Sequence, residues 1–411
     1  MTPRHPTVPD AAAPRRVRRL RDDAAAVAAA HELAAAWREL GPLRDRDRAV
    51  PRAELALLAE SGLLAMTVPR AYGGPGVRAY TLTRVFAILA AADAALAQVP
   101  QNHYGACFGL EIERDEERKA FFFGEVLRGA RFGNAGNERG AGAPGRLATT
   151  IVDDGAGWYR INGTKAYCTG ALTAQWVPVS AAHPDGWTAL AFVPQGTPGM
   201  VINEDWDSFG QRATVSGTTV LTDVRVPARY VFDTSRPPRA DVAFRYARSQ
   251  LTHAAIQLGI AEGLLARAAR LDPAALPGPV ADRFRAWRED LELDIAAADA
   301  LIARAAERID EVVAAGRATP ESVLGVGVAV DEAKCLTYDL GPLAADALAE
   351  FVGPGEIDAD PGFDRLWRNA RTHSLHDPVR WRRHHVGDHY VNGVPPPSLT
   401  RLLDSAGDAP L

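Results

Sequence analysis

The segment Arg368-Asn369-Ala370-Arg371-Thr372-His373-Ser374-Leu375-His376-Asp377-Pro378-Val379 is the most informative part of this sequence. It leads into a stretch, Arg371 to Tyr390, that carries five of the chain's ten histidines: His373, His376, His384, His385 and His389. Imidazoles gathered in this way suit either metal ligation or proton handling. His385 and His389 stand four apart on a candidate helix, with Asp377 and Asp388 near. Gly387 and Asp388, however, occupy the place where a helical zinc protease carries its acid, and no Cys or Glu cluster offers further ligands. No metal site is expected, and surface or helix-interface roles account for most of the five.

Upstream of this segment the helical text brackets a β region. From about Asp22 to Gly129, Ala, Leu, Glu and Arg dominate, and apolar residues recur at helical spacing, as in Leu55, Leu58, Ala59 and Leu63, with a break from Pro69 to Val77. Between Phe132 and about Phe232 come short β-rich runs. Trp158-Tyr159-Arg160-Ile161 leads into Asn162-Gly163, a tight-turn dipeptide, and then Lys165 to Cys168; Trp187 to Val193 and Thr218 to Val226 are further strands. After Pro238 the helical period returns. Leu251, Ala254, Ala255, Leu258 and Ala261 form one apolar stripe, and Asp290 to Val313 predicts a second long helix. Thr319-Pro320-Glu321 is a helix start that runs on to about Phe351, and Asp364 to Tyr390 carries at least one more. The expected organisation is an α+β chain: a mobile tail (1–20), an N-terminal helical domain (21–131), a central β domain (132–236), a C-terminal helical bundle (237–395) and a second tail (396–411).

Composition narrows the function. Forty-six basic against fifty-one acidic residues among 411 leave a net charge of −5, so no global positive field exists to hold nucleic acid or an anionic membrane. Three dispersed cysteines, Cys107, Cys168 and Cys335, fit a reducing compartment, and the longest apolar run, Val85 to Val99, is too short to span a bilayer. The Pro- and Arg-rich first twenty residues lack the apolar core of a secretory signal. A cytoplasmic protein acting on a small molecule is expected. It is not a doubly wound dinucleotide fold: helices and strands do not alternate, and neither Tyr72-Gly73-Gly74-Pro75-Gly76 nor Gly133-Asn134-Ala135-Gly136-Asn137 has the spacing of its phosphate loop.

The Arg368–Val379 segment resembles the C-terminal signature of flavin monooxygenases with the acyl-CoA dehydrogenase fold, in particular the two-component, reduced-flavin-dependent oxygenases of the sulfur-acquisition and dibenzothiophene type. Three other segments are similar to that family in the same order: Val68-Pro69-Arg70-Ala71-Tyr72-Gly73-Gly74, Gly163-Thr164-Lys165-Ala166-Tyr167-Cys168-Thr169-Gly170, and Trp206 to Arg212 with Ser216-Gly217-Thr218. The resemblance implies a helical N-terminal domain, a β-barrel-like middle domain and a C-terminal four-helix bundle, assembled as a homotetramer. It also implies that reduced FMN or FAD lies between the β domain and the C-terminal helices, supplied by a separate NAD(P)H-flavin reductase, with O2 as co-substrate.

The same resemblance assigns roles. His376 would face the flavin and deliver a proton, since an imidazole with a pKa near 6.5 suits that task; a satisfied interior histidine is the competing account. Thr169 would present a hydroxyl or amide to the flavin's central-ring nitrogen, against a residue chosen for β propensity. Asn134 and Asn137 would contact flavin or peroxide, or else serve a turn. Tyr167 would contact the flavin, Trp206 would pack against its ring or ribityl chain unless it belongs to the β-domain core, and His103 would border the pocket unless it is simply buried. Where relatives carry an arginine for the flavin phosphate, this chain reads Gly353-Pro354-Gly355-Glu356-Ile357-Asp358, so Arg270, Arg212 and Ser216 become the candidate anchors.

Three functions are weighed. The first is a monooxygenase that forms a flavin C4a-hydroperoxide and oxygenates a small organic substrate at sulfur, nitrogen or an aromatic carbon. The second is an acyl-CoA dehydrogenase with Asp377 as base and an electron-transfer flavoprotein as partner. The third is a pocket protein of the same fold without catalysis.

Overall fold

A computed structural model of the chain describes residues 16–140, 147–359, 362–377 and 379–396. The expected N-terminal tail lies outside the described residues up to residue 15, and the expected C-terminal tail does so beyond Pro396. Residues 16–20 correct the tail expectation because they are tied down: the Arg18 N–H donates to Glu60 O at 2.9 Å, its guanidinium meets Glu32 at 2.8 Å, and Leu20 is buried.

The N-terminal part consists of α1 (Asp23–Asp47), α2 (Arg52–Glu60), α3 (Ala79–Ala92), α4 (Ala94–Gln98), α5 (Gln101–Glu111) and α6 (Glu116–Leu127). Aspartates start three of these helices: Asp22 accepts the Ala25 N–H, Asp93 those of Ala95 and Leu96, and Asp115 that of Arg118.

The middle part holds β1 (Thr150–Asp153), β2 (Trp158–Lys165), β3 (Trp176–Ala182), β4 (Thr188–Pro194), β5 (Met200–Ile202), β6 (Thr219–Pro227) and β7 (Val231–Asp233). Among the described residues these form one seven-stranded sheet in the order β5-β6-β2-β1-β3-β4-β7, antiparallel except where β1 meets β3. The turn expected at Asn162-Gly163 is not there. Both residues lie inside β2, at a register shift against β6. Gly163 takes φ 152 at this shift, where a Cβ would fall 2.4 Å from Thr149 Oγ1. The actual turn from β1 to β2 uses Gly155 and Gly157, both at positive φ. Phe132 to Asn137 contributes only single bridges, to β3 and to Ala166, rather than a first strand.

The C-terminal helices are α7 (Arg239–Ala268), α8 (Gly278–Ala315), α9 (Pro320–Ala359), α10 (Phe363–Ser374) and α11 (Val379–Asn392). α8 begins twelve residues before Asp290, since Pro279 sits in its first turn, where a missing N–H costs nothing. Asp364 to Tyr390 contains two helices, broken at Leu375–Asp377. The side chains of the acidic stretch Gly353–Asp358 lie outside the described residues, although the backbone of α9 continues through it.

The expected stripe of α7 is fully buried, from Leu251 to Ala261. On the same helix, a Cβ at Gly259 would lie 2.3 Å from Ala87 O, and one at Gly263 would lie 2.8 Å from Ala91 O. α3 and α7 therefore touch backbone to backbone, which joins the N-terminal helices to the bundle. Gly259→Ala should cost about 2 kcal/mol by forcing these helices apart, against the roughly 1 kcal/mol gain of the same change in an open helix. Urea denaturation followed by circular dichroism reads the difference, and an unchanged midpoint would mean that the contact can relax freely.

Candidate active site

Three tight segments meet where the sheet faces the C-terminal helices. The first, Ala166–Gly170, leaves β2 and turns at Tyr167 (φ 55) and Gly170 (φ 66), with the Thr169 N–H donating to Tyr167 O at 2.8 Å. A Cβ at Gly170 would fall 2.6 Å from Arg131 Nη1 and 2.8 Å from Val99 Cγ1, so the turn lies against the end of α4. The second is a single 3-10 turn, Arg212–Thr214, flanked by Gln211 (φ 52) and Val215 (φ 48). A β-branched residue at positive φ is strained and persists only where the surroundings hold it. That geometry brings Thr214 and Ser216 together. The third is the break between α10 and α11, which carries His376 and Asp377.

A line of buried hydroxyls joins the first two turns. Thr169 Oγ1 lies 2.8 Å from Ser216 Oγ, Ser216 Oγ lies 2.7 Å from Thr214 Oγ1, and Thr214 Oγ1 donates to Gln211 O at 3.0 Å. Trp206 Nε1 donates to the same carbonyl at 3.0 Å. The second turn is in turn fixed to α10: the Gln211 N–H donates to Asn369 Oδ1 at 2.6 Å, and a Cβ at Gly210 would fall 2.2 Å from Arg368 O.

One turn beyond Asn369, His373 Nε2 pairs with Gln98 Oε1 of α4 at 3.1 Å, leaving its Nδ1 buried without a partner. His253 of α7 stacks on His376 with ring centroids 4.0 Å apart and lies 5.6 Å from His373. Burial holds His253 and His373 well below the ordinary imidazole value, so both are neutral at pH 7. Packing around His376, followed by the Lys334 ammonium, pushes its pKa down to about 4. Its outer face is open to solvent, and the Arg382 guanidinium adds to the repulsion. The expected value near 6.5 is thereby corrected: the resting ring is neutral.

Asp377 is not free to act as a base. Its Oδ2 accepts from Lys334 Nζ at 2.6 Å and from Arg382 at 2.6 and 3.0 Å. Lys334 also meets Gln250, while Arg382 meets Asp331 and the Tyr246 hydroxyl. Burial raises the Asp377 pKa, but the two cations outweigh it and hold the carboxyl down to about 2. His103 also stands apart from the cluster. Its Nδ1 accepts the Phe132 N–H at 3.1 Å and its Nε2 donates to Leu64 O at 2.8 Å, so neither ring nitrogen remains for a ligand.

The other candidates divide. Tyr167 and Trp206 stand edge to face with centroids 6.3 Å apart, the tyrosine exposed and the tryptophan half-buried. Asn134 spends its amide on Tyr167 O and the Gly136 N–H, which braces the Thr169 turn. Asn137 is exposed and binds Ala166 through its backbone. The proposed phosphate anchors do not converge: Ser216 is committed to the hydroxyl line, and Arg212 lies 3.6 Å from Asp45. Arg270 is exposed past the end of α7, roughly 25 Å along the helix from His253. Sequence reading missed Thr214, Gln211, Gln98, His253 and Lys334. Only His253, a polar residue inside the apolar stripe of α7, left a visible signal.

Residues 16–130 match the acyl-CoA dehydrogenase N-terminal domain and residues 135–224 the acyl-CoA dehydrogenase middle domain. Dibenzothiophene monooxygenase of Rhodococcus qingshengii is 31% identical over 401 residues, covering 91% of this chain and 95% of the relative. The chain belongs to the flavin-dependent monooxygenases of the acyl-CoA dehydrogenase family. The probable FMNH2-dependent monooxygenase SfnC of Pseudomonas putida is 30% identical over 90% of this chain and 96% of its own length. The FMN-bound crystal structure of TdsC from Paenibacillus sp. A11-2 superposes with a TM-score of 0.82 at 30% identity, covering 90% of this chain and 98% of TdsC.

The residues present fit the flavin that such a monooxygenase requires. Both polar atoms of the Gln211 amide are buried without a partner, as is Arg212 Nε, and the Tyr167 ring is open beside the Thr169 turn. A planar ring edged with N–H and C=O groups suits such a lining. The ion-paired aspartate is tested separately. Asp377→Asn should lower stability by about 2 kcal/mol at pH 7. Because the folded-state pKa is depressed, that contribution is complete above about pH 4 and disappears as pH falls through about 2. The gap between wild type and variant in urea melts should close over that window; a gap that persists at pH 2 would mean that the carboxylate charge is not its source.

Proposed function

We propose that this chain is the oxygenase of a two-component system. It takes reduced FMN from a separate NAD(P)H-flavin reductase, binds O2 and a small organic substrate, and transfers one oxygen atom to sulfur, nitrogen or an aromatic carbon. The other oxygen leaves as water, and the two electrons come from the flavin. The observation that carries this reading is the exchange of roles at the α10–α11 break: Asp377 is locked by Lys334 and Arg382, while the neutral His376 imidazole stands open beside it. A site offering imidazole in place of a free carboxylate suits oxygen transfer better than removal of a carbon-bound proton, the task of the dehydrogenase alternative. FMN in TdsC and the FMNH2 dependence of SfnC support the choice of FMN.

When bound, reduced FMN supplies the activation of O2 at its carbon 4a. The chain supplies the surroundings. Thr169 and its hydroxyl line would hold the ring's polar edge, and Tyr167 with Trp206 would cover it. The neutral His376 would hold a proton at one ring nitrogen for the oxygen that leaves as water, its other nitrogen taking one back from solvent on the open face. His253, stacked beneath, keeps the imidazole plane fixed.

Among the described residues no helix is long and apolar enough to cross a membrane. Free Cys107, Cys168 and Cys335 suit the cytoplasm. Leu343, Leu375, Trp381, Tyr390 and Val391 expose apolar surface along α9 to α11, and Leu293 and Val313 do so on α8. Association through the bundle, as a homotetramer, would cover them. Light scattering at micromolar concentration should give four times the chain mass, and a monomer would refute the assembly.

His376→Ala should leave FMN binding intact and lower product formed per FMN oxidised on the order of a hundredfold, with hydrogen peroxide released instead. Thr169→Val, which keeps shape and deletes the hydroxyl, should also increase peroxide release. Product and peroxide are counted in a coupled assay with a flavin reductase. Near-native product yield from His376→Ala would reduce His376 to a structural residue.

A further inference from the structure

The hydroxyl line beside Thr169 has a direction. We infer that this direction makes the site favour reduced over oxidised flavin, with Thr214 as the positioning residue that sets it; the inference rests on the flavin reading above.

Each hydroxyl has a single hydrogen to donate, and a carbonyl can only accept. In one polarity Thr214 donates to Gln211 O, Ser216 donates to Thr214, and Thr169 donates to Ser216. All three contacts, at 3.0, 2.7 and 2.8 Å, are then hydrogen bonds. In the reverse polarity Ser216 donates to Thr169 and Thr214 to Ser216, and the bond to Gln211 O is lost. The carbonyl keeps Trp206 Nε1 in either case, so reversal leaves no orphan there and costs one bond. The first polarity is favoured by that bond.

Its consequence appears at Thr169. With the hydrogen committed to Ser216, the hydroxyl offers only lone pairs to a ligand. The Thr169 N–H offers nothing else, because it is closed onto Tyr167 O at 2.8 Å. The remaining acceptor for the Thr169 hydrogen, Tyr167 O at 3.5 Å, is too distant to compete with Ser216. An acceptor-only surface welcomes an N–H and opposes a bare ring nitrogen. The central-ring nitrogen N5 of flavin carries a hydrogen when reduced and a lone pair when oxidised. With N5 against Thr169, as the flavin reading has it, reduced flavin would meet the line in its favoured polarity, whereas oxidised flavin would take the Thr169 hydrogen and cost the line one bond, by reversal or by release of Ser216. The difference is one net hydrogen bond, about five-fold in relative affinity. For a two-electron couple, five-fold corresponds to about 20 mV in the potential of bound FMN.

Thr214 does not reach the ligand itself. It lies two hydroxyls away and acts by anchoring the line to Gln211 O. Thr214→Val keeps the β-branched shape and removes the anchor, and Thr214→Ser keeps the anchor. The experiment measures the dissociation constants of oxidised FMN, and of reduced FMN under anaerobic conditions, for wild type and both variants. The oxidised-to-reduced ratio should fall about five-fold in Thr214→Val, with the bound potential lowered by about 20 mV, and should return in Thr214→Ser. Should Thr214→Val fail to fold, Ser216→Ala cuts the line at its middle and should lower the ratio in the same direction. A ratio within two-fold of wild type in a variant that still binds both forms would overturn the inference and leave the monooxygenase reading intact. Equal weakening of both forms would do the same, marking Thr214 as merely structural. Absence of FMN binding by the wild-type protein in either form would overturn both.

Discussion

The hydrogen bond from the Gln211 N–H to Asn369 Oδ1, at 2.6 Å, holds the β sheet to the helix that carries the histidines. It forms only because residue 210 is glycine, which lets the strained turn approach the α10 backbone closely enough to exclude any side chain. Everything proposed for the site depends on this seam. On one side it fixes the turn that aligns Thr214 and Ser216 with Thr169; on the other it sets where His373 meets Gln98 and where His376 leaves the helix. Backbone strain at Gln211 and Val215 is concentrated at the same point, as expected where a turn must aim side chains rather than merely connect strands.

A second constraint is the charge knot beneath the histidines. Lys334 and Arg382 are buried cations, and a buried cation without an anion is very unstable. Asp377 and Asp331 supply the anions. Once Asp377 serves that purpose it stays ionised and hydrogen-bonded, and a carboxylate so held is a poor acceptor of a substrate proton. The neighbouring His376 is left with the chemistry. Packing around the ring and the same cations keep it neutral, so it enters the reaction as a two-sided imidazole rather than a preformed acid.

Much of the architecture was legible in the sequence because it depends on local periodicity. The stripe of α7 and the cap at Thr319 follow from residues within one or two turns of each other, and the structure buries the one and forms the other, with Thr319 Oγ1 accepting the Ser322 N–H. Asn162-Gly163 was misread as a turn for the complementary reason. The dipeptide has the right local preference, but Thr149, just before β1, packs against Gly163 across the sheet, where β2 shifts register against β6.

The sequence by itself determined the α+β order, the family signature around His376, and the residue types of the site. Only the tertiary structure decided what those residues do. His103 and Asp377 look like catalytic groups in the text, yet Phe132 and Leu64 take both ring nitrogens of His103, and Lys334 and Arg382 hold Asp377 ionised and weakly basic. Thr214 looks like an ordinary turn residue, yet it anchors the line that reaches Thr169 from more than forty residues earlier in the chain. The physical reason is that a titratable or hydroxyl group's chemistry is set by which partners take its protons and lone pairs. Those partners are brought together by the fold, not by neighbouring positions in the chain.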